Sequence, residues 1–447
     1  MSVAGPPASG LAGSRRGRPP ARNEILQGGR LGGCDPGALA AQYRTPLYVY
    51  DLDTITRQLA ALHAALPPAF ELAYAVKANP SLGVIAHLGG LGLGADVASA
   101  GELAAGRRAG VTPDRIVMTG PGKRNEELQA AIVAGIRAIT VESVGELGRL
   151  ARLAAAAALR VPVMLRAAVS AQARLERVRL VGDDGAGKFG MGADDLLEAA
   201  RRAVCSPHLD LLGVHAFGAS NVLDPSAVAT HVETTIELGR RLAREVGFEL
   251  RLVDVGGGLG IPYEAHEEPL DLVTLGRQLA VLADRLAADP ATRGLRVLME
   301  PGRFLVGSAG AYLTRVVDRK AVDGREVVIL DGGIHHLLRP ALTGQQHRVR
   351  RLGPTGTGSG RFVPVTVAGP LCSGLDVLAT ETMLQAPEVG DLVAVLDVGA
   401  YGYTESMPLF LSHPVPAEVA VSRGRASLLR PRIEPDSWLE VQRRPDW

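Results

Sequence analysis

The chain has 447 residues, 47% of them hydrophobic and 21% charged, a soluble globular balance with more length than one ordinary domain needs. A formal net charge of +1 gives no electrostatic reason to expect nucleic acid or an anionic membrane as partner. Cys34, Cys205 and Cys372 are too few and too scattered for a disulfide framework or a zinc site, and a reducing cytoplasm suits them. Arg15, Arg16 and Arg18 precede no apolar stretch, so no secretory signal is read. No apolar run reaches the roughly 18 residues of a transmembrane helix.

Residues 1–30 are rich in Gly, Pro, Ala and Arg without apolar periodicity, and a disordered leader is expected there. PLYVYD, from Pro46, is a strand within a segment, 31–52, expected to join a later β domain. Short apolar runs then alternate with Ala/Leu/Arg/Glu-rich helical stretches. The runs are LAYAVKA from Leu72, LGADVAS from Leu93, IVMTG from Ile116, ITVES from Ile139, VPVMLRAA from Val161, LLGVHAFGA from Leu211, RLVDVGGG from Arg251 and RVLMEPGR from Arg296. The first five start about 22 residues apart, the length of one strand–helix unit. Eight such units predict an α/β fold, a (β/α)₈ TIM barrel over 53–305, in preference to an open doubly wound sheet.

Beyond residue 305 the texture changes. VVIL from Val327, RFVPVTVAG from Arg361, DLVAVLDVGA from Asp391 and PAEVAVS from Pro416 are strand-like, with little helix between. A C-terminal β-barrel or β-sandwich domain over 306–447 is predicted, with LGPTGTGSG from Leu352 as a surface loop. Polar residues gather where the barrel strands end, the face on which such barrels place their sites. Lys77 ends the first strand, and Asp96 and Ser99 the second. Arg166 lies on the fifth, His215 and Ser220 on the sixth. Gly256, Gly257 and Gly258 follow the seventh, and Glu300 and Arg303 the eighth. Singly, a lysine at a strand end is a solvated charge and a glycine run a turn; together they mark one face as a site.

The ordered motifs carry a resemblance. YAVKANP at Tyr74–Pro80, GADVASAGEL at Gly94–Leu103, KFGM at Lys188–Met191, GVHAFGAS at Gly213–Ser220 and DVGGGLG at Asp254–Gly260 are followed by EPGRFLV at Glu300–Val306, GPLCSGLD at Gly369–Asp376 and GAYGYT at Gly399–Thr404. Over roughly residues 43–422 the chain resembles the fold-type III pyridoxal 5'-phosphate decarboxylases, the group of the diaminopimelate and ornithine decarboxylases. The resemblance implies an alanine-racemase-like barrel plus a β domain, and an amino-acid decarboxylase acting from a head-to-tail homodimer. Lys77 matches the lysine that holds the cofactor as a Schiff base, and Glu300 the carboxylate that keeps the pyridine nitrogen protonated, so that the ring accepts the electrons left by CO₂. Gly256, Gly257, Gly258, Arg303, Ser220 and Tyr401 match the phosphate site; backbone N–H groups free of side chains suit that anion. Asp96, Arg166 and His215 complete the implied cofactor shell. Cys372 matches the proton donor that crosses into the neighbouring subunit's site.

The substrate half departs from the pattern. Phe217 stands where the family stacks a histidine on the ring; it can stack but cannot donate a hydrogen bond. Ser373 replaces an acidic residue that grips the distal amine of diaminopimelate or ornithine. RPAL at Arg339–Leu342 resembles a substrate-binding segment, followed here by Thr343 in place of tyrosine. Losing the acid argues against a free distal ammonium. DGGIHH at Asp331–His336 and FLSHPVPAEV at Phe410–Val419 look more like a subgroup from biosynthetic clusters, some of whose relatives act on carrier-tethered amino acids. Asp331 is retained as a candidate for the substrate amine, and His335 and His336 as residues lining the site; adjacent histidines rarely face one ion, so no metal is expected. Two rivals are weighed. Racemases of this fold pair the pyridine nitrogen with arginine, where Glu300 sits here. Non-catalytic cofactor-binding barrels lack the β domain and the cysteine loop.

Overall fold

The structure, a computed structural model, describes residues 25–168, 187–352 and 361–446. The expected leader lies outside the described residues up to 24, and the expected loop outside them over 353–360. From Ile25 the chain is folded. Leu26–Gln27 pairs with Arg30–Leu31 across Gly28 and Gly29, both at positive φ, and Ile25 and Leu31 are buried against the second domain's sheet.

Eight parallel strands close a barrel: Phe70–Ala75, Gly94–Val97, Ile116–Met118, Ala138–Val141, Val161–Arg166, Leu209–His215, Leu252–Asp254 and Arg296–Met299, the last pairing with the first. Each overlaps one of the eight predicted runs, although Phe70–Ala75, Ala138–Val141 and Leu209–His215 begin one or two residues before theirs. Strand alternation turns Ala73, Val117, Ala138, Met164, Leu252 and Leu298 into one buried cluster, where small and large side chains together fill the barrel interior. Helices cover the outside. In Pro225–Val246, Asp224 caps the first turn through the Ser226 N–H and proline occupies the first position. Val228, Val232, Thr235, Ile236, Gly239 and Leu242 form its buried face at three- and four-residue steps, and Gly247 ends it at φ 82°.

The second domain is built on Gly310–Val322. Its first half lies between Leu47–Asp51 and Leu392–Leu396, and its second half pairs with Arg325–Leu330. The sheet runs on through Phe362–Ala368 and Val377–Gln385 on one side and through Ala417–Ser422 and Arg425–Arg430 on the other. The two domains meet just beyond Lys77. The Tyr401 N–H donates to the Ala78 carbonyl at 2.8 Å, and Asn79 Nδ2 donates to the Gly399 carbonyl at 3.0 Å. No helix among the described residues is long and apolar enough to cross a membrane.

Candidate active site

Lys77 sits in the tight turn Val76–Ala78 that leaves the first barrel strand. Its side chain is 46% exposed, and Nζ lies 3.2 Å from Asp96 Oδ2. Asp96 is buried at the end of the second strand, in register with Ala75, and Thr119 Oγ1 donates to its other oxygen at 2.7 Å. Burial works against the Lys77 ammonium, but Asp96 and then Glu300 outweigh it, so the amine is held protonated above the ordinary lysine value.

His215 and Asp254 are register partners on the sixth and seventh strands, and Glu300 follows the eighth. All three are buried, and a donor atom from each lies within 4.8 Å of the others, which among the described residues is the grouping able to hold a metal ion. His215 Nε2 stands 3.7 Å from Glu300 Oε2, an ion-pair rather than a hydrogen-bond separation. Both His215 ring nitrogens, Asp254 Oδ2 and Glu300 Oε1 lack a hydrogen-bond partner. Buried polar atoms left in this way mark a place built for a bound group. Burial alone would raise the Glu300 carboxyl, but His215 and Lys77 hold it below the ordinary carboxylate range. Burial and the Glu300 charge push Asp254 the other way, well above it.

The glycine run forms a cradle beside this cluster. Gly256 and Gly258 have φ of +66° and +95°, and Asp254 Oδ1 accepts the Gly256 N–H at 2.9 Å. A Cβ on Gly257 would stand 2.4 Å from the Glu300 carbonyl oxygen, and one on Gly258 2.5 Å from that of Ala219, so side chains are excluded from the run. Buried Arg303 flanks it, donating to Tyr263 Oη at 2.8 Å and Ser220 Oγ at 3.2 Å. Tyr401, at φ 55°, lies between the guanidinium groups of Arg303 (4.8 Å) and Arg339 (4.6 Å). Bare N–H groups and a buried guanidinium fit an anion. The Phe217 ring packs against Gly256.

Arg166 is engaged within the protein. It donates to Glu142 Oε1 at 2.8 Å and lies 4.6 Å over the Phe189 ring. Glu142 also accepts the N–H groups of Gly120 and Gly190, and so ties three loops to the barrel. Beneath it, buried Lys123 meets Glu146 Oε1 at 2.9 Å and the Thr140 carbonyl at 2.7 Å. Sequence reasoning missed Glu142, Lys123, Glu146, Thr119 and Asp254. One signal was available: Ser-x-Gly-Glu-Leu occurs at Ser99–Leu103 and again at Ser143–Leu147. In both copies the serine caps the following helix through the glutamate N–H, and that glutamate returns to the backbone N–H just before the serine. Ser99, expected at the site, spends its hydroxyl in this way.

The substrate-side candidates divide. In Asp331, one oxygen accepts from Thr45 Oγ1 at 2.5 Å and the other from the Arg315 N–H at 2.9 Å, which ties its carboxylate to the second domain's frame. Arg339 is buried and its Nη1 donates to both oxygens of Glu405, at 2.9 and 2.7 Å. Cys372 is exposed on the loop Gly369–Asp376, and no hydrogen bond or ion pair among the described residues joins it to the Lys77 cluster. Ser373 Oγ accepts the Leu375 N–H at 3.3 Å, and Asp376 turns inward to the Ile334 and Leu371 N–H groups. His335 is fully buried with neither ring nitrogen partnered, packed 3.7 Å from the His336 ring and 4.9 Å from that of His413.

Comparison with known proteins identifies relatives across nearly the whole chain. Residues 52–307 match the family described as pyridoxal-dependent decarboxylase, pyridoxal binding domain. The chain is 33% identical to the L-glutamyl-[BtrI acyl-carrier protein] decarboxylase of Niallia circulans, over 91% of this chain and 95% of that protein. It is 35% identical to the diaminopimelate decarboxylase of Methanothermobacter thermautotrophicus, over 90% and 92%. The crystal structure of Helicobacter pylori diaminopimelate decarboxylase complexed with L-lysine superposes with a TM-score of 0.81 at 29% identity, covering 91% and 98% of the two chains.

Proposed function

The chain belongs to the pyridoxal-dependent decarboxylases and is a pyridoxal 5'-phosphate enzyme that decarboxylates an amino acid; from that premise we propose the roles of its residues and the kind of substrate it takes. Lys77 is the amine that holds the cofactor, kept in place by Asp96, which Thr119 orients in turn. Gly256, Gly257, Gly258, Ser220 and Arg303 receive the phosphate, with Tyr401 stacked on Arg303. The single observation that carries the reading is the unpartnered, buried Glu300 Oε1 in an ionised carboxylate, because only an anion there holds a proton at a ring nitrogen. Bound, the cofactor supplies an electron-accepting ring that takes up the pair released as the substrate carboxylate departs as CO₂. One proton then replaces the carboxylate on Cα, and Cys372 is its donor.

Cys372 serves a second copy of the chain. Its loop exposes Leu375, and Leu409, Phe410 and Leu411 stand exposed ahead of His413. A two-fold dimer covers such a surface twice with one interface. Mixing Lys77→Ala with Cys372→Ala, each inactive alone, should recover activity towards about a quarter of wild type through heterodimers with one intact site. No recovery after demonstrated subunit exchange sinks the shared site.

For the substrate, we infer an amino acid without a free distal ammonium, such as an aminoacyl group tethered to a carrier. The support is local: Ser373 is neutral, Asp376 is turned inward and Asp331 is committed elsewhere, so none of the three offers a carboxylate to an amine. The carrier-linked substrate named for the Niallia circulans relative fits this reading. CO₂ release measured on free diaminopimelate, lysine, ornithine and glutamate beside carrier-linked glutamate tests it. Turnover of a free diamino acid at kcat/KM of about 10⁴ M⁻¹s⁻¹ or better, the ordinary enzyme range, refutes it.

A further inference from the structure

Glu300 does not stand alone. Asp254, at the end of the neighbouring strand, is as deeply buried, and one oxygen of each lies within the 4.8 Å grouping that includes His215. Two carboxylates brought this close and shut away from water repel each other's charge, which favours a proton on one of them. The surroundings decide which. Lys77 and His215 act on Glu300 and favour its anion. Asp254 faces the negative charges of Glu300 and Asp96, and the Gly256 N–H already occupies its Oδ1. Its Oδ2 is buried without a partner, which suits a protonated oxygen with a hydrogen to give.

We propose that Asp254 is a neutral carboxylic acid whose Oδ2–H serves Glu300 as donor, a positioning residue that joins the carboxylate at the ring end of the cofactor site to the glycine cradle at its phosphate end. This rests on the reading of Glu300 given above. A hydrogen bond to the charged form makes a carboxylate a weaker base. With Asp254 behind it, Glu300 holds a neighbouring proton by its charge without taking that proton for itself. Through Oδ1 the same side chain fixes Gly256, the first residue of the cradle. Ring and phosphate ends therefore move together, and a substitution at Asp254 disturbs both.

The test is an infrared difference spectrum of the holoenzyme against Asp254→Asn at neutral pH. A protonated-carboxyl C=O band, shifting in D₂O and present only with Asp254, is expected. In Glu300→Gln the negative neighbour is gone, and the band should titrate away at lower pH than in the wild type. Pyridoxal phosphate affinity of the apo-protein gives a second readout. Asp254→Asn keeps an acceptor for Gly256 and an N–H donor for Glu300, whereas Asp254→Leu keeps neither and should bind on the order of tenfold more weakly than Asp254→Asn. An Asp254-dependent band that is absent at neutral pH, or equal affinities in the two variants, overturns the proposal. Should the band be present while Glu300→Gln turns over like wild type, the carboxyl pair stands and the role given to Glu300 falls.

Discussion

Acidification should destabilise the fold through His335. Its ring is fully buried with no partner at either nitrogen, and burial, then the neighbouring His413, pushes it down to about 4 from the ordinary 6.5. Between those values the unfolded chain binds a proton that the folded chain refuses, so stability falls as pH drops through the window and levels off below it. The slope is about 1.4 kcal/mol per pH unit, and going from about pH 7.5 to about pH 5 costs about 2 kcal/mol at this one residue. Buried His347, also pushed down to about 4, adds a similar amount, and His336 acts in the same direction. Asp254 and Asp376, raised by burial, work the opposite way, so the pH dependence of the wild type alone is ambiguous. The difference between wild type and His335→Phe isolates the residue, since phenylalanine fills the space without titrating. Urea unfolding of both apo-proteins at several pH values measures it. Parallel stability curves across the window would mean that His335 is protonated in the fold and the reasoning fails.

The purified protein should be yellow, and borohydride should bleach it and leave the reduced adduct on the peptide containing Lys77; an adduct on another lysine refutes that assignment. Glu300→Gln should still bind pyridoxal phosphate yet turn over about 10²–10³ times more slowly, the usual cost of removing an electrostatic partner to developing charge, and a near-wild-type rate counts against the role. In Gly257→Ala the new methyl would meet the Glu300 carbonyl oxygen at 2.4 Å, a backbone contact with nothing flexible to yield. Cofactor affinity should drop at least tenfold with secondary structure intact by circular dichroism; unchanged affinity would show that the cradle does not hold the phosphate.

Local signals made the barrel legible. Apolar runs ending in polar or glycine residues recur at strand–helix spacing, and Lys77, Asp96, His215 and Glu300 all fall where those runs stop. The second domain was harder to read because several of its strands are only partly buried. Gly310–Val322 carries Arg315, Asp318, Arg319 and Lys320, and its outer half is exposed, so its polarity reads as a connection rather than as the sheet's central strand. Val377–Gln385 is interrupted by Glu381 at φ 50° and by shifts of register. Partners were less legible still. Glu142 and Glu146 are ordinary acids beside a helix start, and only the closed barrel brings Arg166 and Lys123 to them. The partners of Asp331 were hidden for the same reason, since its place in sequence does not reveal that Thr45 and Arg315 donate to its two oxygens.

Lys77, the lysine proposed to hold the cofactor, depends on residues more than 300 positions away. Two of the bonds that hold the turn after Lys77 come from outside the barrel: Asn79 reaches the Gly399 carbonyl, and the Ala78 carbonyl receives the Tyr401 N–H. Remove the second domain and the Ala78 carbonyl and the Asn79 amide lose the partners that fix the turn. Arg303 would also lose the aromatic face of Tyr401. The same segment, Gly399–Tyr401, therefore meets the turn after Lys77 at one end of the site and the Arg303 guanidinium beside the glycine cradle at the other. The barrel supplies the chemical groups, and the second domain fixes how far apart they stand.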